Sequence, residues 1–487
     1  MPFFFEEKSM NMSHLTKLSF AALLATAPTV FAQVPAPAAE AVPVAEAAPA
    51  PVAEPIPPTP APVPEVKPAP EVKPAEPAKA AAAGTKISLY GFAQLNAIYE
   101  DGVLRTNQNN WNLIAPSDNS KGGSRTMLNV NHTRVGINFS DSPTEGGTEL
   151  SGKIETDFNN NANRNPNGAT ANTTVVSSVK QDDAGKVTST TVSVPGASAF
   201  RIRHAFGQVK FSDLGLTLLF GQTSNVISPR DPSILSEGSM NYSGNIGTAR
   251  TPQIRLTQAL GPAEIAVAAF DDRSVSAPKA PAVQGRIGFK TSADWADKKQ
   301  NLELGVSGHF AHQRNTDTTE NQANKKISKS YSFNADLNLP IMDILGLSGE
   351  FYYGQNLGSY NGNLNLSRSD LDPTKIKDED GVKSSGFWTN IGIKLPASLT
   401  LNGGLGMESI SNDDDLLPGK ISSNMGIFTN LRYNFIPSAF IGIEYWHIST
   451  AYTDSKDGKD SNGKDKFKAT KDGTINRVEL AFNYSFK

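Results

Sequence analysis

The segment Arg477-Val478-Glu479-Leu480-Ala481-Phe482-Asn483-Tyr484-Ser485-Phe486 alternates without a break. Val478, Leu480, Phe482, Tyr484 and Phe486 share one face; Arg477, Glu479, Ala481, Asn483 and Ser485 share the other. Period-two alternation marks a strand with two unlike faces. Ile87, Leu89, Gly91, Ala93, Leu95, Ala97 and Tyr99 repeat the pattern at the start of the alternating region. Leu302 to Phe310, Phe387 to Leu395 and Met425 to Phe435 repeat it further on. Alternation sustained over about nine to eleven residues is long for a soluble sandwich and matches a tilted membrane strand.

The connections carry the same message. Short links at Asp141–Gly147, Ser212–Asp213, Gly261–Pro262 and Ile436–Ala439 are interleaved with eight long polar ones: Glu100–Ser124, Asn159–Ala199, Ser224–Ala249, Asp271–Pro281, His312–Lys326, Gln355–Ser385, Ser409–Ser422 and Ser449–Gly473. Short turns on one side and long loops on the other are the habit of a transmembrane barrel, and closure leaves no strand edge in lipid. The expected fold is all-β: a transmembrane antiparallel β-barrel of about sixteen strands, with a secreted solenoid or sandwich as the competing reading.

Composition excludes other classes. The 487 residues carry a net charge of -3 and no cysteine, so neither nucleic-acid binding nor a disulfide or thiolate metal site is expected. Mean hydropathy is -0.34, and no apolar run of about 18 residues appears beyond the N-terminus, which excludes a helical membrane protein.

Residues 1–32 read as a signal peptide, with Lys17, the apolar stretch Leu18 to Thr26, and a small-residue cleavage site at Val30-Phe31-Ala32; Met10 or Met12 offers an alternative start. Residues 33–84 are almost wholly Ala, Pro, Val and Glu, with EVKP at Glu65–Pro68 and Glu71–Pro74. Such a segment forms neither helix nor central strand, so a disordered, extended periplasmic linker is expected, a passive spacer or a contact with peptidoglycan. Residues 85–487 form the barrel on this division.

The chain has no dinucleotide, P-loop, zinc-protease or nucleophile-elbow motif, and no cofactor or metal is expected. Ser307 and His309 share an inward face, as a barrel hydrolase would need, but an inward histidine in a wet pore accounts for them equally. Asp378–Asp380 and Asp413–Asp415 lack the spacing of a calcium loop. With the apolar side against lipid, the lumen receives Arg134, Arg201, Arg203, Arg255, Arg286, Lys290, Arg432 and Arg477. The same interior receives Glu149, Lys153, Glu155, Asp157, Glu350, Glu408, Glu444 and Glu479. A basic wall facing acids would set a transverse field and favour anions; cross-strand pairing that merely keeps the lumen wet is the alternative.

The loop Thr223 to Ala249 has the length and small residues of a segment folded into the pore, which makes Arg230, Asp231 and Glu237 constriction candidates. Inward Trp388, Phe428 and Trp446 are expected to pack against an infolded loop rather than to stack sugars.

Phe200-Arg201-Ile202-Arg203-His204-Ala205-Phe206-Gly207-Gln208 resembles an arginine-rich strand motif of DcaP-like outer-membrane porins. The likeness extends through Leu219-Phe220-Gly221-Gln222-Thr223, Arg250-Thr251-Pro252-Gln253-Ile254-Arg255, Thr133-Arg134-Val135-Gly136-Ile137 and Tyr90-Gly91-Phe92, roughly the first half of the barrel. It implies a homotrimeric, sixteen-stranded channel of a Gram-negative outer membrane with a basic lumen, taking small anionic solutes such as dicarboxylates. Arg134, Arg201, Arg203 and Arg255 are the positions it singles out. The chain departs from that family in two places. A Pro/Ala/Glu linker replaces the helical N-terminal segment, and Lys487 follows the last aromatic residue.

The functional expectation is therefore a non-enzymatic porin for passive solute and ion transport, embedded in outer-membrane lipid and lipopolysaccharide. A plugged barrel anchoring the membrane to the cell wall is the second reading.

Overall fold

The computed structural model describes residues 84–104, 113–117, 122–144, 147–158, 173–181, 187–194, 200–235, 243–246, 250–271, 281–295, 298–314, 327–360, 362–377 and 380–487. The expected signal peptide, nearly all of the linker, and Glu237 lie outside them.

The strands are β1 (Lys86–Glu100), β2 (Arg125–Asn129), β3 (Arg134–Ser140), β4 (Thr148–Asp157), β5 (Thr173–Gln181), β6 (Val187–Val194), β7 (Arg201–Phe211), β8 (Leu216–Ser224), β9 (Arg250–Leu260), β10 (Ala263–Phe270), β11 (Ala282–Trp295), β12 (Lys298–Arg314), β13 (Ile327–Met342), β14 (Leu345–Gln355), β15 (Lys383–Leu395), β16 (Leu399–Ile410), β17 (Ile421–Ile436), β18 (Ala439–Tyr452), β19 (Ser455–Lys459), β20 (Asp465–Lys468) and β21 (Gly473–Phe486). β5–β6 and β19–β20 are separate loop hairpins; the other 17 segments form one antiparallel sheet. β2 and β3 both lie along β1 and make one stave, so the barrel has the expected sixteen. At the break, the Asn129 side chain accepts the Asn131 N–H at 2.7 Å and turns the chain out of register.

The decisive alternating segment closes the ring. β21 pairs with β1 from Gly91↔Phe486 to Glu100↔Arg477, so no stave is left with a free edge. β12 runs for 17 residues, well beyond the expected nine to eleven, so parts of the wall stand clear of the hydrocarbon layer.

The faces divide as the alternation requires. Large apolar side chains point outward and stay exposed on every side of the ring, among them Ile254, Leu304, Phe333 and Phe482 at 61%, 45%, 55% and 44%. A continuous belt of this kind is untenable in water and suited to lipid, so the barrel spans a membrane. Polar side chains such as Asn334, Asn402 and Asn430 point inward and are buried.

The inside is not empty. Three long loops turn into the barrel and form apolar clusters there. Leu104, Leu113 and Ala115 of the first loop pack on Trp388, Phe428, Trp446, Ile448 and Ile475, joined by Ile234 of the third. Ile227 and Ile246 of the third loop meet Tyr352, Leu357 and Tyr360. Ile114 meets Leu364, Leu366, Leu371 and Val382 of the sixth.

Candidate pore lining and its constriction

The lumen carries two unlike walls. On the first, β4 lies between β3 and β7 and presents Glu155 and Asp157 to arginines on both sides. Arg201 grips Asp157 through Nε (2.9 Å) and Nη2 (2.5 Å). Arg203 donates Nε to Glu155 (2.6 Å) and Nη1 to Asp157 (2.8 Å). Arg134 reaches Glu155 at 3.5 Å, and its guanidinium lies over the Phe92 ring. Tyr90 donates its hydroxyl to Glu155 at 2.6 Å. A β-bulge at Glu155/Thr156 brings Arg203 and His204 inward together, and His204 Nδ1 sits 2.9 Å from Thr223 Oγ1. Three arginines thus face two carboxylates, and Arg250 lies within electrostatic reach of Arg203, Arg201 and Arg134. Arg250 Nε and Arg134 Nε are buried without a hydrogen-bond acceptor. The ladder is wet at two of its three arginines: the Arg134 and Arg201 side chains are 20% and 23% exposed, while Arg203 is buried between them.

On the other wall the acids are covered. Asn225 to Leu235 of the third loop run as a strap along β12–β18. Ser228 Oγ and the Arg230 N–H donate to Glu350 at 2.8 and 2.7 Å, and Trp388 Nε1 donates to the same carboxylate at 3.1 Å. Arg230 reaches Asp336 through Nε (3.0 Å) and Glu303 through Nη2 (2.9 Å). Ser233 N–H donates to Asn390 Oδ1 at 3.0 Å, and Leu235 N–H to Glu444 at 2.7 Å. Gln94 then donates to the Leu235 carbonyl at 2.9 Å, carrying the strap across to β1. The third loop therefore folds inward in its described part.

The expected lumen residues separate accordingly. Arg134, Arg201 and Arg203 converge. Arg255 does not join them; it donates to Gln253 Oε1 at 3.0 Å and to the Ser224 carbonyl. Arg286 and Arg230 meet instead at Asp336, where Arg286 also holds Glu264. Asp231 is exposed on the strap, and Lys290 pairs with Glu303 at 2.7 Å. Arg432 lies 3.8 Å from the Phe440 ring centroid. Arg477 is fully buried at the closing seam between Glu100 (3.5 Å) and Glu479 (2.8 Å).

The simple transverse field is corrected on two points. The basic wall contains its own acids, because β4 places Glu155 and Asp157 between the arginine strands. The opposing acids Glu350, Glu408, Glu444 and Glu479 are buried at 5%, 1%, 0% and 0%, because loops and seam partners cover them. Glu408, for instance, accepts the Leu364 N–H of the sixth loop at 3.1 Å.

Trp388, Phe428 and Trp446 pack under the first and third loops as expected, with Phe428 and Trp446 stacked at 5.2 Å. His309 contacts Ser332 at 2.7 Å and Ser330 at 2.9 Å and lies under the Tyr360 ring. Its ring nitrogens are thus taken by two other serines, and the Ser307/His309 pair is not an assembled nucleophile and base.

Parity alone could not show that the first and sixth loops also turn inward. The first is tied down where Asn424 donates to the Leu113 carbonyl at 2.9 Å and Tyr452 to the Ala115 carbonyl at 2.7 Å. The readable signal was apolar residues in otherwise polar loops: Leu113-Ile114-Ala115, and Leu357, Leu364 and Leu366.

No family model and no curated protein sequence matches the chain. Among solved structures, the outer membrane channel DcaP of Acinetobacter baumannii aligns with 83% of this chain and 98% of its own, at 18% identity and TM-score 0.55. The chain has the DcaP fold. An anion-selective porin from Comamonas acidovorans aligns with 83% of this chain and 100% of its own, at 10% identity and TM-score 0.49. OmpF of Salmonella typhi aligns with 83% and 98%, at 12% identity and TM-score 0.48. The fold implied by the Arg201–Arg203 resemblance is the fold found.

Proposed function

We propose that this chain is an outer-membrane porin, a passive path for small hydrophilic solutes that prefers anions, small carboxylates among them. The DcaP fold supports the channel. The preference rests on one asymmetry: Arg134 and Arg201 of the ladder are wet, whereas Glu350, Glu444 and Glu479 are dry. In a narrow pore the fixed charges that meet the solute set its selectivity, and buried ones count for less. Arg230, Arg255, Arg286, Asp231 and Glu237 belong to the proposed path as secondary positions, and no catalytic step is assigned. On this reading the mature chain is a homotrimer set in lipid and lipopolysaccharide. Its 1–32 segment is a removed signal peptide, and the 33–84 linker is periplasmic.

Liposome swelling with neutral sugars, monocarboxylates and dicarboxylates of matched size tests the proposal. Faster entry of the carboxylates is expected, and equal or slower entry would contradict the preference. No swelling at all, with linker-dependent peptidoglycan capture, would favour the anchoring reading.

A further inference from the structure

The strap does more than narrow the opening. Five of the ties that hold Asn225–Leu235 against the wall end on a carboxylate, Glu303, Asp336, Glu350 or Glu444; Thr251, Gln284, Asn390, Asn430 and Gln94 hold it through neutral groups. If the strap left, these acids would not be equally compensated. Asp336 would keep Arg286 and Glu303 would keep Lys290. Glu350 would keep the Trp388 indole, and Glu444 the Trp446 indole and Asn430, all neutral donors. Two carboxylates that now hold backbone N–H groups would become lumen anions.

We propose that the third loop is a charge mask: Arg230 and the strap set the channel's ion preference by hiding an acidic wall. Arg230 is its positioning residue, since its guanidinium bridges Glu303 and Asp336 while its own N–H holds Glu350. Undocking the strap widens the pore and exposes acids opposite the arginine ladder in one event, so conductance and selectivity change together. The inference rests on the porin reading and adds a determinant that lies outside the ladder.

The test uses the absence of cysteine from the chain. Ser233→Cys with Asn390→Cys gives one thiol pair across the strap–wall contact, closed by a disulfide or a short bifunctional thiol reagent and reopened when a disulfide is reduced. Arg230→Ala is then made in that background. Gly442→Phe is made as a charge-neutral companion, because a Cβ at Gly442 would stand 2.5 Å from Leu235 Cδ1 and a larger side chain pushes on the strap. Single-channel conductance and reversal potential in a salt gradient are recorded with the strap locked and released. In both variants the released form is expected to conduct more and to show an anion-to-cation permeability ratio several-fold lower, and locking is expected to restore both.

If Arg230→Ala shifts the reversal potential equally in locked and released forms, the effect is the lost charge alone and the mask is overturned. An unmoved reversal potential in Gly442→Phe, with the folded form verified by its gel mobility before and after heating, overturns it as well. Absence of any current from the unaltered chain would remove the porin reading and the mask with it; the first two outcomes leave the porin reading standing.

Discussion

Arg203 on β7 and Glu350 on β14 are buried alike, at 6% and 5%, on staves nearly across the ring, yet they are satisfied in opposite ways. Arg203 meets two full charges, Glu155 and Asp157, on the neighbouring stave. Glu350 meets only neutral donors among its described contacts: a hydroxyl, a backbone N–H and an indole N–H. The first arrangement belongs to the rigid wall and is fixed by strand register. The second depends on a loop arriving. Charges held by the wall can stay wet and meet a solute, as Arg134 and Arg201 beside Arg203 do, whereas a charge held by a loop is taken out of the path for as long as the loop remains docked.

The largest effect is expected from breaking the ladder. Arg203→Met removes one of two cations from each carboxylate, leaving Arg134 on Glu155 and Arg201 on Asp157, and is expected to cost about 2 kcal/mol through the lost charge-assisted hydrogen bonds. A lower temperature for loss of the compact form on gels, with a weaker anion preference, would register it. Glu350→Gln should cost less, about 1 kcal/mol, since only neutral hydrogen bonds are disturbed. If the Glu350 variant proves the more damaging of the two, the contrast between the walls fails. Trp388→Phe removes the single indole donor to Glu350 and is expected to cost a similar or smaller amount, about 1 kcal/mol, read by the same gel assay.

The smallest effect concerns the outer loops. Burial pushes the Asp370 carboxyl up, but the Lys420 ammonium at 2.6 Å and the Ser367 N–H at 2.8 Å more than offset it and hold the group below its ordinary range. A carboxyl depressed in the folded state contributes stability above its unfolded pKa of about 4, lost as pH falls through the folded value. The contact between the sixth and seventh loops should therefore loosen between about pH 5 and pH 2, seen as faster proteolysis. Lys420→Ala should abolish most of that pH dependence.

These walls were unequally legible in the sequence. The outward face of β21 could be read directly, because lipid demands an apolar residue at every second position and Val478, Leu480 and Phe482 comply. Parity also put Arg134, Arg201 and Arg203 inside. It could not say that Glu155 and Asp157 would lie beside them, since neighbours across strands depend on register and on the bulge at Glu155/Thr156. Arg477 has the same parity as the ladder but lies in the closing seam, a distinction only ring closure makes. The strap was anticipated from the length and turn residues of the third loop. The inward turn of the first and sixth loops was missed because their few apolar residues carry no period.

The reversal potential of single channels under a salt gradient tests the central claim most directly. The unaltered chain should reverse on the anion side, and a variant with Arg134, Arg201 and Arg203 all replaced by glutamine should move markedly toward the cation side. Strong cation selectivity in the unaltered chain, or no movement in the triple variant, would contradict a pore governed by the arginine ladder.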